Sequence, residues 1–230
     1  MKTIFWKIEA YVKENLEFHE IREYYVDICL SKKDYDLAIE LLVAGKEKEK
    51  DRRWIVKEYS LKLKNLYKKT GQDELYEQEL WDLILDHKAG NVEIYKELKS
   101  IYTDEEWVEK REAIFAKLTR SDRVDRLYLV DGLYDRLIEL IINSPGLDLL
   151  SQYENILKDL YPQELLHKYE NTVNSLVVKS SKRGHYRELV SILRRMLKYP
   201  GGREKVSEIV EEWKIKYKRR PAMLDELSRL

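Results

Sequence analysis

The sequence predicts an all-α protein, an irregular α-solenoid of antiparallel helix pairs with about a dozen helices. Three observations predict it. Apolar residues recur at i, i+3, i+4 and i+7 almost throughout, so each helix has one apolar face to bury. Sustained alternation of apolar and polar residues, which a half-buried strand requires, is found nowhere. Only 8 Gly and 4 Pro punctuate 230 residues, of which 37% are charged. That balance suits exposed amphipathic helices and is unlike a β-sandwich or a disordered chain. The chain reads as a single helical-repeat domain over residues 1–230, with a candidate subdivision near 144–146, where "NSPGLD" interrupts the pattern.

The elements follow one another with short punctuation. Between 51 and 69, Ile55, Tyr59, Leu63, Leu66 and Tyr67 share one helical face. "KKTGQD" then places Gly71 after a lysine-rich last turn and Asp73 before the next stripe, Tyr76, Leu80, Leu83, Ile84 and His87. "YTDEEW" offers Thr103 or Asp104 as an N-cap, with acids in the following turn where the helix dipole favours them. "NSPGLD", "LYPQEL" and "KYPGGRE" are the remaining breaks, and Val206, Ile209, Val210, Trp213 and Tyr217 form a further stripe. Most helices span roughly 10–18 residues and are joined by tight turns.

The chain also echoes itself. "LKNLY" (63–67), "LKSIY" (98–102) and "LKDLY" (157–161) share one pattern, and the first two start 35 residues apart. That spacing is close to the ~34 residues of tetratricopeptide-type helix-turn-helix repeats. A second echo pairs "SKKDYDLAIELL" (31–42) with "SKRGHYRELVSIL" (181–193). Two echoes at element boundaries favour stacked helix pairs, each covering the apolar face that its neighbour cannot bury alone.

"SKKDYDLAIELL" resembles a tetratricopeptide-like helix, which implies that Tyr35 and Ala38 pack between paired helices, although the strict 34-residue signature is not repeated. A more specific likeness runs through "YKELKSIYTDEEWVEKREAIFAKL", "YENILKDLYPQELLHKYENTV", "SSKRGHYRELVSILRRMLKYPGG" and "YKRRPAMLDELSRL". These segments resemble the long helical region that follows the zinc finger in bacterial SWIM zinc-finger proteins. The finger itself, a Cys-x-Cys and Cys-x-His arrangement, is absent, and Cys29 alone cannot supply it. The resemblance therefore implies a helical-repeat region without the zinc or DNA role of the finger, as a piece of a longer protein or as a shortened homologue.

Composition excludes several classes. Lys+Arg and Asp+Glu both number 43, so zero formal net charge gives no overall pull toward nucleic acid or a membrane surface. A single cysteine permits neither an internal disulfide nor a thiolate metal cluster, and it suits a reduced cytoplasm. The start, "MKTIFWKIEAYVKEN", is interrupted by Lys7, Glu9 and Lys13 and lacks the apolar core of a signal peptide. No apolar run approaches the ~20 residues of a membrane span, so a cytoplasmic protein without membrane contact is expected.

Residues able to do chemistry do not converge. His19, His87, His167 and His185 stand far apart, and none lies in a recognised metal spacing. His19 and Glu23 can share a helix face, and His185 stands out because basic residues surround it. Acid runs such as Asp104, Glu105 and Glu106 read as dipole-matched and solvated rather than as an acid/base pair. Cys29 lies among apolar neighbours and reads as a buried thiol. "YPGGRE" has neither Walker spacing nor a preceding strand and reads as a turn. The 17 tyrosines, with Trp6, Trp54, Trp81, Trp107 and Trp213, either fill gaps between helix layers or line a concave peptide groove. No catalytic residue, metal or cofactor is implied.

Charge distribution is more informative. Residues 72–112 carry 13 acids against 5 bases, and residues 182–220 carry 13 bases against 5 acids. These blocks are solvated faces, surfaces that contact each other, or a basic end offered to an acidic partner. In the last reading the candidate partner-binding residues are Arg194, Arg195, Lys198, Arg219 and Arg220, because guanidinium forks suit carboxylate and phosphate. The expected function is a non-enzymatic scaffold that binds a protein or peptide, or supports an adjoining domain. The alternative is a nucleic-acid-associated accessory module using the same basic region.

The ending, "YKRRPAMLDELSRL", reads as closure of the helical stack. Lys218, Arg219 and Arg220 are expected in the last turn of one helix, and Pro221 opens the next. Met223, Leu227 and Leu230 would fold back over the preceding layer, with Asp225 as a candidate partner of Arg220.

Overall fold

The computed structural model describes Tyr11, Val12 and residues 14–230; Trp6, Lys7, Glu9 and Lys13 lie outside the described residues. Among these residues there are thirteen α-helices and no strand, the all-α class that the apolar periodicity predicts. The chain divides into two compact units, Met1–Asp131 and Gly132–Leu230. Residues 144–146 fall within the second unit.

In the first unit, α1 (His19–Ser31), α2 (Tyr35–Lys48), α3 (Arg53–Thr70) and α4 (Asp73–Asp82) follow in order. A π-helical turn (Leu83–His87), α5 (Val92–Lys99), α6 (Asp104–Lys117), a 3₁₀ turn (Arg120–Asp122) and α7 (Val124–Val130) complete it. Neighbours in sequence are neighbours in space: α1 packs on α2, α2 on α3, and α3 on both α4 and the π turn. Connections this short between helices in lateral contact reverse the chain, so the pairs run antiparallel. The predicted stripe Ile55, Tyr59, Leu63, Leu66 and Tyr67 is buried in full, as are Tyr76, Leu80, Leu83 and Ile84. Each such aliphatic side chain contributes about 1.5–3 kcal/mol by leaving water. Cys29 and Ala38 are buried in the same core.

Local chemistry sets the helix ends. Gly71 takes the left-handed conformation that closes α3, with φ of 70°. Thr103, not Asp104, caps α6: its Oγ1 accepts from the Glu106 amide at 3.3 Å, and Glu106 accepts from the Thr103 amide at 2.9 Å. The stripe that ends at His87 leaves the α-helix after Asp82, where the turn widens and the Lys88 amide donates to the Leu83 carbonyl at 2.6 Å.

The repeated "LK" motif acquires a physical meaning. Lys64, in the first echo, donates to Glu97 at 2.5 Å, 33 residues on. Lys99, at the same place in the second echo, donates to Asp131 at 2.8 Å, 32 residues on. A tyrosine hydroxyl also donates to each acid, Tyr76 to Glu97 at 2.6 Å and Tyr95 to Asp131 at 2.7 Å. Lys46 reaches Glu79 over the same separation of 33 residues, at 2.7 Å. The ties from Lys64 and Lys99 thus recur with the echoes, whereas the tie from Lys46 shares their span but lies outside the echoed motif.

The second unit contains α8 (Tyr134–Ile142), α9 (Asp148–Leu157), α10 (Pro162–Lys179), α11 (Arg183–Met196), α12 (Gly202–Lys216) and α13 (Pro221–Leu227). The long α10 touches α8, α9 and α11, and α11 in turn meets α12 and α13. Leu165, Tyr169 and Val173 of α10 are wholly buried, as are Leu157, Leu193 and Met196 around them. In the "YPGG" turn, Gly201 has φ of 77°, and a Cβ on Gly202 would stand 1.9 Å from the Met196 carbonyl oxygen. Only glycine allows α12 to start so close to the end of α11.

Two details of the C-terminal segment differ from the sequence expectation. Helix α12 ends at Lys216, so Lys218, Arg219 and Arg220 lie in the connection to α13 rather than in a last helical turn. Arg220 is not held by Asp225 but donates to the carbonyl oxygens of Val177 at 3.1 Å and Ser180 at 3.0 Å. Those carbonyls close α10, and a guanidinium there meets the negative end of a helix dipole. Asp225 pairs instead with Arg183 and, at 3.1 Å, with Arg229. Pro221 is the first residue of α13 as expected, and Met223 and Leu227 are buried where α13 folds back on α11.

Candidate functional site

The basic block of the second unit separates into residues that serve the fold and residues that face open space. Arg183 binds Asp225 and, through Nε at 2.6 Å, Glu226, holding α13 against α11. Glu226 is consequently kept ionised below the ordinary carboxylate range, chiefly by its hydrogen bond from Arg183. Arg194 donates to the backbone carbonyl of Arg229 at 2.5 Å, and Arg220 is committed to the end of α10. Arg219 is exposed.

Arg195 and Lys198 are different. They flank the end of α11 and line a cleft of about 660 Å³ together with Lys158 of the α9–α10 connection, Asn155 and Glu154 of α9, and Pro162. Three cationic side chains therefore gather at the first turn of α10, an 18-residue helix whose positive dipole end adds to their field. Among the described residues none of the three forms an ion pair; Arg195 donates to Ser151 Oγ, at 3.2 Å, and also bonds the Tyr169 side chain. Asp159, also at the rim, makes the lining mixed rather than uniformly positive.

The floor of this cleft is hydrogen-bonded. Glu154 Oε1 accepts from the hydroxyls of Tyr169, at 2.8 Å, and Tyr199, at 2.7 Å. Burial first, then the bond to Glu154, pushes both tyrosines well above the ordinary phenol range, so each stays a donor. The two rings meet at 5.9 Å between centroids. Glu154 thus has one oxygen fixed by two tyrosines, and its Oε2 has no protein donor among the described residues.

Of the five basic residues singled out in sequence, the structure brings Arg195 and Lys198 together at one cleft and sends Arg194, Arg219 and Arg220 elsewhere. Lys158 was not singled out. Its signal was the third "LKDLY" echo: the lysines of the first two copies are tied to acids, whereas Lys158 is exposed at the cleft.

The histidines remain dispersed. His19 Nδ1 bonds the Tyr59 hydroxyl at 2.8 Å, in a buried group with Arg22 and Glu49, and its Nε2 lies 3.8 Å from Glu23. His87 is half-buried and held below the ordinary imidazole range, first by burial and then by Lys46. His167 bonds Asn171 on the surface, and His185 borders a small hollow of about 170 Å³ with Lys179 and Glu188. Among the described residues no three His, Cys, Asp or Glu side chains gather at a point where they could hold a metal ion. No helix there is long and apolar enough to cross a membrane. The aromatics divide as well: Trp107 and Trp213 are core residues, Trp81 donates to Tyr102, and Trp54 is 60% exposed.

No protein-family model, curated protein or solved structure matches the chain. The chemistry available to the cleft is charge-assisted hydrogen bonding from two ammonium groups and one guanidinium, opposite a carboxylate with one open oxygen.

Proposed function

We propose that this chain is a non-enzymatic helical scaffold that binds a protein or peptide segment through its second unit. One observation carries the reading: Lys158, Arg195 and Lys198 face a common cleft without carboxylate partners, while other arginines of the same basic block are engaged by the fold. Cations left unpaired beside a concavity favour an acidic ligand group, and cytoplasmic protein partners carry such groups in abundance. The tetratricopeptide-like echoes and the likeness to the helical region of bacterial SWIM zinc-finger proteins support the same reading. The mixed lining weighs against the nucleic-acid alternative, because Glu154 and Asp159 repel a continuous phosphate backbone.

The test is affinity capture from a bacterial extract with the whole chain as bait, in parallel with an Arg195→Glu/Lys198→Glu variant. A protein partner retained by the first and lost by the second is the expected result. Loss of the scaffold reading follows if neither bait retains a specific partner, or if only nucleic acid is retained with a steep salt dependence.

A further inference from the structure

Resting on that scaffold reading, we propose that the cleft at the start of α10 docks a mixed-charge peptide segment. An acidic side chain sits among Lys158, Arg195 and Lys198, and a nearby basic or amide donor meets Glu154.

The geometry of the lining selects this ligand. Small-molecule sites of several hundred Å³ are mostly apolar with a few polar groups. Here the order is reversed, since six of the lining positions used above are charged or amide side chains and the apolar surface comes from Pro162, Pro200 and the Tyr199 ring. A uniformly negative ligand gains from three cations but must pass Asp159 and approach Glu154. A segment that alternates sign satisfies both sets. The positive end of α10 adds to the preference for a carboxylate at the cationic side.

Glu154 gives the site its polarity. Two tyrosine hydroxyls hold Oε1, and Oε2 is the acceptor left for a ligand donor. The Gln163 amide donates to the Pro200 carbonyl at 3.3 Å, tying the α10 start to the turn after α11 across the cleft. A preformed cleft loses little conformational entropy on binding.

Fluorescence anisotropy with the full chain tests the assignment. The probes are labelled nine-residue peptides of alternating Glu and Lys, of Glu with neutral spacers, and of Lys with neutral spacers, with a labelled oligothymidylate as a fourth. The alternating peptide is expected to bind most tightly. Lys158→Ala and Arg195→Ala/Lys198→Ala should each weaken it by roughly tenfold or more at unchanged thermal stability. Glu154→Gln, which keeps an acceptor for both tyrosines, should erase the advantage of the alternating peptide over the Glu peptide. Alternating-peptide binding that survives all cleft variants overturns the cleft assignment and leaves the scaffold reading standing. Tighter binding of the oligothymidylate or the Glu peptide overturns the mixed-charge ligand. Failure of every probe while the bait still captures its partner also overturns the docking site alone, and failure of both experiments overturns both readings.

Discussion

Asp131 concentrates the electrostatics of the first unit in one side chain. Its carboxylate has no exposed surface, yet Tyr95, Trp107 and Lys99 all donate to it within 3 Å, and Arg111 stands 3.7 Å away. Burial alone would raise its pKa, but these donors together hold it below the ordinary aspartate range. Asp131→Asn keeps the shape and removes the charge, so chemical denaturation should show a loss of about 2–3 kcal/mol. The pH sign follows from the same shift. An aspartate depressed in the folded state contributes stability that is present above about pH 4, its unfolded value, and is lost as pH falls through the folded pKa. Glu97, depressed by bonds from Lys64 and Tyr76 that outweigh its burial, acts in the same direction, so acid melting of wild type should be steeper than that of Asp131→Asn. In the second unit, Tyr169→Phe and Tyr199→Phe each remove one donor from Glu154 and should cost about 1–3 kcal/mol by the same measurement. None of this was legible in sequence. Asp131 lies outside the acidic block, and its donors at 95, 99 and 107 converge on it only after three helices have packed. By contrast, the buried stripe from Ile55 to Tyr67 could be read directly, because helical periodicity is a local property.

At the scale of elements, α13 shows how much a short helix can depend on distant partners. Seven residues are too few to be stable alone. It is held by Met223 and Leu227 under α11, by Arg183 on Asp225 and Glu226, and by Arg220 on the end of α10. Truncation after Lys216 should therefore lower the thermal midpoint or the solubility, and an unchanged melt would contradict this packing. The paired arginines should separate cleanly. Arg220→Ala removes the charged donor from two helix-end carbonyls, leaving them the longer bonds from the Ser180 amide at 3.3 Å and the Tyr186 hydroxyl at 3.4 Å, and should cost on the order of 1 kcal/mol, whereas Arg219→Ala should stay within about 0.5 kcal/mol. Gly202→Ala, which drives a methyl into the Met196 carbonyl, should cost on the order of 1–3 kcal/mol. Pro221 and the apolar spacing after it announced this helix in the sequence. The target of Arg220 did not appear there, because Val177 and Ser180 are 43 and 40 residues away. The "YPGG" break was readable as a turn, but the close approach that requires Gly202 was not.

For the molecule as a whole, zero net charge conceals two different uses of charge. In the first unit lysines tie acids at a spacing of 32 or 33 residues, and the charges largely satisfy one another. In the second unit the basic block is divided between α13, the end of α10 and the cleft. The helical class and the uneven charge were both evident from residue order, since each is a sum over local sequence. Which cations stay free depends on tertiary packing, and that is why Lys158 joins Arg195 and Lys198 while Arg194 and Arg220 do not. In the proposed docking site Lys158, Arg195 and Lys198 act together with Glu154, whose Oε1 is held by two tyrosines. The most direct measurement is a chemical-shift titration of the isotope-labelled chain with the alternating Glu/Lys peptide. Saturable shifts centred on Lys158, Arg195, Lys198 and Tyr199 are expected, with Arg219 unmoved. Shifts centred elsewhere on the surface, or none at these four residues, would contradict it.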